Sequence, residues 1–287
     1  MKTLYITECP RDAMQGIKTF IPTDLKLRYI QQLLKVGFDV LDYGSFVSSK
    51  AIPQMQDTGE ITKQLELSNT KTKLLAIIAN YRGAEDACQF EQVSYLGFPL
   101  SVSEEFQKRN TNATIEDAFI RVEEIHNLCF KKGKQLRVYL SMAFGNPYGE
   151  EWNPEKVFQM AERLYRMGIK EIALADTIGC STEDNIQLLF SHLMKALPEV
   201  NFIAHLHSTP DTAKNKILSA IDNGCINFDS AILGYGGCPM AKDKLTGNIA
   251  TETLIQCAKE SNLHFKINMD EFRKSQDIAR EIFEIYH

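Results

Sequence analysis

In the stretch FIAHLHST, His205 and His207 stand two residues apart. Side chains alternate faces along a strand, so both imidazoles aim into one space. The pattern reads either as a metal site or as two core histidines satisfied by hydrogen bonds. A carboxylate from another strand end favours the metal, and Asp12 is the natural third ligand, with the amide oxygen of Asn248 as a fourth. Two imidazoles plus oxygen donors suit an open divalent site for Mg, Mn, Fe or Zn. Arg11 lies directly beside Asp12. Asp42, in DVLDYGSF, and Asp176, in IALADTIG, are candidate acid–base groups or supports for the ligands, with helix capping and loop hydrogen bonding as the alternative. Cys238 follows two glycines in GYGGCP, where the backbone at Gly237 can turn tightly or approach a ligand. A thiol on such a loop suits chemistry better than an inert core position does.

These residues need elements that gather them. Short strand-like runs alternate with longer segments of helical period along the whole chain. Strands are expected over 4–7, 38–42, 74–79, from 93 into PLSVS, 136–143, 171–175, 201–207 and 227–233. Helices are expected over 24–36, 61–68, 83–90, 114–131, 154–167, 181–197, 210–223 and 249–260, with one extra helix over 270–286. Thr114 with Asp117 reads as a capping box, and Asn153-Pro154 as a helix start. Glycines at 37, 133, 168 and 224 supply the left-handed residue that closes a helix before the next strand. Eight such alternations predict an α/β chain folded as a (β/α)8 TIM barrel with an extra C-terminal helix, a single catalytic domain over 1–287. An open doubly wound sheet is the other arrangement considered, but no G-x-G-x-x-G follows any strand. In a barrel, Arg11, Asp12, Asp42, Asp176, His205, His207, Cys238 and Asn248 all fall at the C-terminal ends of strands, the face that carries active sites in this fold.

The chain has 287 residues, a formal net charge of −5 and 24% charged residues. Mild acidity argues against nucleic acid as a partner. No run of about 18 apolar residues predicts a membrane span. The N-terminus shows no signal or transit character. Seven cysteines without a CxxC pair suit reduced thiols and a cytoplasmic protein.

Together the motifs resemble the hydroxymethylglutaryl-CoA (HMG-CoA) lyase family of the DRE-TIM metallolyase superfamily. The matching pieces are PRDAMQ at 10–15, SFVSSKAIPQM at 45–55, SEEFQKRNTNATIEDAF at 103–119, NPYGE at 146–150, ADTIG at 175–179, HLH at 205–207, GGCP at 236–239 and GNIATE at 247–252. The PRD and HxH pieces mark the superfamily, which also holds isopropylmalate, homocitrate and citramalate synthases; GGCP with the following GN is the specific part. The resemblance implies Asp12, His205, His207 and Asn248 as ligands of a divalent metal, Mg or Mn, with no organic cofactor. It implies Arg11 and Cys238 as catalytic residues, Asp42 where the family commonly has a glutamate, Asp176 as a site aspartate and Gln15 as the signature glutamine. The implied reaction is retro-Claisen cleavage of an acyl-CoA, HMG-CoA, to acetyl-CoA and acetoacetate, in leucine breakdown or ketone-body formation. Lys18 and Lys50 are set against the phosphates of coenzyme A, although a lone lysine is more often a solvated side chain. The family also implies a homodimer. A lyase or Claisen synthase for another acyl-CoA, and a non-catalytic binding barrel, are the competing readings. This chain departs from the pattern at Ala13, where the signature has glycine, at Ser208, and over 240–246, which is one residue longer than usual.

Overall fold

A computed structural model describes residues 2–237 and 246–286. The chain runs β1 (Tyr5–Glu8), α1 (Pro10–Gln15), α2 (Thr23–Leu33), β2 (Val40–Ser45), α3 (Thr58–Gln64), β3 (Lys73–Ile77), α4 (Tyr81–Cys88) and β4 (Val93–Ser101). It continues with α5 (Glu104–Thr111), α6 (Ile115–Lys131), β5 (Gln135–Ser141), α7 (Pro154–Arg166), β6 (Glu171–Asp176), α8 (Glu183–Ala196), β7 (Asn201–Ser208) and α9 (Pro210–Asp222). β8 (Asn227–Ser230), β9 (Gly247–Asn248), α10 (Thr251–Glu260) and α11 (Met269–Tyr286) complete it. Strands β1 to β8 pair in parallel, each with the next, and β8 returns to β1. The sheet therefore closes into the expected eight-stranded barrel with helices outside.

Local sequence explains the joints. Thr114 and Asp117 form the expected reciprocal cap on α6, and Thr182 with Asn185 forms another on α8. Asn153 caps α7, with Pro154 at its first position. The four joint glycines all adopt positive φ, between 65° and 94°. The outer face of the strands and the inner faces of the helices make one continuous apolar core, in which Leu41, Leu96, Val138, Ile172 and Phe228 are buried. The barrel interior is different. It holds a small apolar group at Tyr139, Ala173 and Ile203, together with the buried polar residues Thr7, Arg137, Asp229 and His205 and the half-buried Glu171.

Several boundaries differ from the sequence expectation. The Cys9-Pro10 bend opens into helix α1, with Pro10 at its start and Arg11 and Asp12 in its first turn. Six residues are too few to show a helical period. Helix α3 starts at Thr58 and ends at Gln64, earlier at both ends than expected. Strand β8 ends at Ser230, and a 3-10 turn over Ile232–Gly234 replaces its expected last residues, with Leu233 at φ 63°. Helix α5 was not anticipated, although Ser103 caps it, Glu104 and Glu105 open it and Lys108 and Arg109 close it. That order of charges suits a helix dipole and was a legible signal. Helix α11 buries Phe272, Ile282 and Phe283, lies against α2, and stacks Phe283 on Tyr235 at 4.0 Å between ring centres. Ala13, the departure from the signature glycine, sits inside α1 without a positive φ, so its Cβ costs nothing.

Candidate active site

His205 and His207 lie on β7, and their rings are 5.2 Å apart between centres. Asp12 reaches them from the first turn of α1: one donor atom from each of the three residues falls within 4.8 Å of the others, and all three residues are buried. Each imidazole is fixed through Nδ1. His205 Nδ1 lies 3.1 Å from Asp229 Oδ2, and His207 Nδ1 lies 3.1 Å from the Thr177 carbonyl. Such partners set the tautomer that leaves Nε2 free to ligate. His207 Nε2 is buried and finds no hydrogen-bond partner among the described residues. It lies 3.8 Å from Asp12 Oδ2, too far for a hydrogen bond. A buried, orphaned imidazole nitrogen facing a carboxylate fits a cation between them.

Asn248 joins through β9, which pairs antiparallel with β7 so that Asn248 stands opposite His207. Its Nδ2 donates to Asp12 Oδ2 at 2.8 Å and to the Tyr235 carbonyl at 2.9 Å, leaving Oδ1 as the atom for a metal. Gly236 and Gly237 make the approach of this loop possible. Both hold positive φ, and a Cβ on Gly236 would meet the Asp12 carbonyl at 2.7 Å and Asn248 Nδ2 at 2.8 Å. Gly237 lines the site cavity. Cys238 and residues 240–245 of the lengthened loop lie outside the described residues.

Arg11 is the hub of the charges. Its Nε and Nη2 clasp Asp42, at 3.1 and 2.5 Å, while Nη1 donates to Asp12 at 2.8 Å and to Gln15 at 2.9 Å. Gln15 in turn donates to Asp12 at 2.8 Å. Burial works against the Arg11 charge, but Asp42 and Asp12 outweigh it and hold the guanidinium firmly cationic. Burial would also raise the Asp12 carboxyl, but Arg11 and the facing histidines hold it far below the usual carboxylate range. Burial likewise works against a charged His205, and its bond to Asp229 reverses that, raising its pKa. Burial raises the Asp42 carboxyl, with Arg11 pulling against that rise.

The site opens into a cavity of about 330 Å³ lined by Arg11, Asp12, Gln15, His205, His207 and Tyr139, among others. Ala79 and Asn110 line both it and an adjoining pocket of about 560 Å³ that also holds Arg82, Arg109 and Arg121. The structure thus brings Arg11, Asp12, Gln15, His205, His207, Asn248 and Gly237 together. Asp42 and Asp176 sit at the same end but line neither space. Asp42 is committed to Arg11. Asp176 Oδ2 accepts from Ser181 Oγ at 2.5 Å and from Lys216 Nζ at 2.9 Å. Lys50 is exposed on the turn after β2 and lines neither space. Three site residues escaped the sequence reasoning: Asp229, which orients His205; Tyr139, whose buried hydroxyl finds no partner among the described residues; and Arg137, which donates to Asp229 at 3.3 Å. An acidic residue inside strand NFDS was the available signal for the first.

Known proteins resemble this chain over most of its length. The rat protein named 3-hydroxy-3-methylglutaryl-CoA lyase, cytoplasmic, is 34% identical over 268 residues, covering 93% of this chain and 77% of that protein. The mouse mitochondrial hydroxymethylglutaryl-CoA lyase is 33% identical over 270 residues, covering 93% of this chain and 82% of its own. An HMG-CoA lyase from Acinetobacter baumannii, solved in complex with coenzyme A and 3-methylmalate, superposes with a TM-score of 0.89 at 30% identity, over 98% of this chain and 91% of that one. The HMGL-like family model matches residues 4–278, and the chain belongs to that family.

Proposed function

We propose that this chain cleaves HMG-CoA to acetyl-CoA and acetoacetate by a metal-assisted retro-Claisen reaction. The observation that carries the proposal is the Asp12, His205 and His207 donor group, with Arg11 bonded to Asp12 at the wall of the same cavity. Asp12, His205, His207 and the Asn248 amide oxygen hold a divalent cation, Mg or Mn. Such an ion, when bound, acidifies an alcohol that coordinates to it.

The chain's own residues do the rest. Asp229 and the Thr177 carbonyl fix the two imidazoles, so the donor set is preorganised. Arg11 is held in one orientation by Asp42, Asp12 and Gln15, and its fixed positive charge stabilises the thioester oxygen as the C2–C3 bond breaks and an enolate develops. Asp42 is therefore a positioning residue for Arg11. Asp176 plays the same part for Lys216, which also bonds the carbonyls of Gly179 and His207. Cys238 supplies the proton that converts the enolate to acetyl-CoA, and the proton released by the substrate hydroxyl restores the thiol. The arginine pocket beside Asn110 takes the coenzyme A phosphates, in place of the Lys50 expected from sequence. A homodimer and a cytoplasmic place of action belong to the same reading. The cytoplasmic names of several relatives support the latter, and no helix among the described residues is long and apolar enough to cross a membrane.

The test is acetoacetate release from HMG-CoA by purified protein. Release is expected with Mg or Mn, and is expected to collapse with EDTA, in His207→Ala and in Cys238→Ala. Folded, metal-loaded protein that releases none would overturn the assignment.

A further inference from the structure

The opposite mouth of the barrel holds a second cavity, of about 900 Å³. It lies at the N-terminal ends of the strands, and none of its lining residues lines the active-site cavity. Lys35, Lys71, Lys73 and Lys266 line it. The lysine ion pairs among the described residues involve Lys26, Lys108, Lys170, Lys214, Lys216 and Lys274, all elsewhere. The two acids of the cavity are already engaged. Asp39 accepts the Ile6 amide at 2.9 Å, and Glu171 binds Arg137 at 3.1 Å and Asn201 at 2.8 Å.

A solvated lysine needs no partner, and four of them on a convex surface would mean nothing. Here they surround one concavity in a chain of net charge −5. Low-dielectric walls focus the field of like charges that share a cleft. The cavity also reaches Arg137, which is 3% exposed and whose Nε finds no hydrogen-bond partner among the described residues. Its Nη1 and Nη2 bond Thr7, Asp229 and Glu171, so it sets a fixed, buried cation at the floor of the cavity. Tyr5, 48% exposed at the same mouth, offers an aromatic face. The volume falls in the range of small-molecule sites, roughly 300–1,000 Å³.

We propose that this cavity binds a small polyanion carrying several phosphates, of the size of a nucleoside triphosphate. Lysines outside close ion pairs supply charge without fixed geometry, which suits a flexible polyphosphate chain better than a single planar carboxylate. The phosphates can come from a nucleotide or from inorganic polyphosphate, and the aromatic face separates the two sources.

The experiment is calorimetric titration of metal-free protein with ATP and, separately, with inorganic tripolyphosphate. ATP is expected to bind, and the double variant Lys71→Glu, Lys266→Glu to bind it at least tenfold more weakly. HMG-CoA cleavage by that variant, assayed without added nucleotide, should stay within twofold of wild type, which controls for folding. Arg82→Glu, on the opposite mouth, should leave the lysine-dependent part of ATP binding as in wild type. Equal binding of tripolyphosphate supports the site and assigns it to phosphate alone; tighter ATP binding supports it and assigns the nucleotide. No binding, binding indifferent to the lysine changes, or loss of the lysine-dependent part in Arg82→Glu overturns the proposal. Absence of HMG-CoA cleavage in wild type would count against the lyase assignment and leave these titrations readable.

Discussion

The two mouths of this barrel treat charge in opposite ways. At the C-terminal mouth, Arg11, Asp12, Asp42 and Gln15 are tied to one another, and Asp176 is tied to Lys216. At the N-terminal mouth, four lysines stand around a cavity without ion-pair partners among the described residues. Cross-tied charges cannot reorient when a substrate arrives, which is what stabilising a developing enolate requires. Untied lysines adapt to a ligand but fix nothing. The two regimes meet at Arg137, which binds Glu171 toward the lower mouth and Asp229, the partner of His205, toward the upper.

Arg137→Met breaks the comparison most severely. It leaves Asp229 and Glu171 without their buried cation, and removing one partner of a buried pair costs about 3–5 kcal/mol. Chemical denaturation of the variant should show a loss of that size. A loss below about 1 kcal/mol would mean that the interior charges are solvated and that the two mouths are independent. Asp229→Asn sharpens the comparison at the upper end alone. The carboxylate that orients His205 and raises its basicity is gone, while the four proposed ligands remain. A support of this kind is worth roughly 10–100-fold in metal affinity. Mn titration of the variant should show that weakening, and unchanged affinity would mean that His205 needs no orienting group.

The residues visible in the sequence were those whose meaning is local. His205 and His207 share a face because strand side chains alternate, and the glycine joints declare themselves by composition. Their placement at one mouth then follows from the barrel. Arg137 shows why other parts stayed hidden. Its partners Thr7, Glu171 and Asp229 are 130, 34 and 92 residues away in the chain, and no spacing announces a contact that only barrel closure creates. Asp42 illustrates a middle case. Its position at a strand end was legible, but its commitment to Arg11, 31 residues earlier, depends on the register that sets β1 beside β2. Reading it as an acid–base group followed from residue type; reading it as the clasp on Arg11 needed the partner.

Glu8 and Asp12 extend the contrast to a single stretch of chain. Both are buried carboxyls, but Arg11 holds Asp12 anionic, whereas no cation among the described residues faces Glu8 and burial pushes it up to about 8. Glu8 accepts the Ile232 amide at 2.7 Å and the Thr251 hydroxyl at 2.6 Å, so it joins β1 to the turn before Gly236 and to the start of α10. The sign of its effect on stability follows from where the proton sits. The folded chain keeps the Glu8 proton up to about pH 8, and the unfolded chain releases it near 4.5. Between those values the folded state binds more protons, so stability falls as pH rises. Glu8→Gln keeps an acceptor for Ile232 and cannot ionise. Between pH 6 and 7 wild type should therefore lose about 1.4 kcal/mol relative to the variant, read from paired urea midpoints. Below about pH 4 the two should track one another. Parallel curves from pH 5 to 8 would mean that Glu8 ionises in the fold as readily as Asp12 does, and that a neighbouring cation is not what separates these two carboxyls.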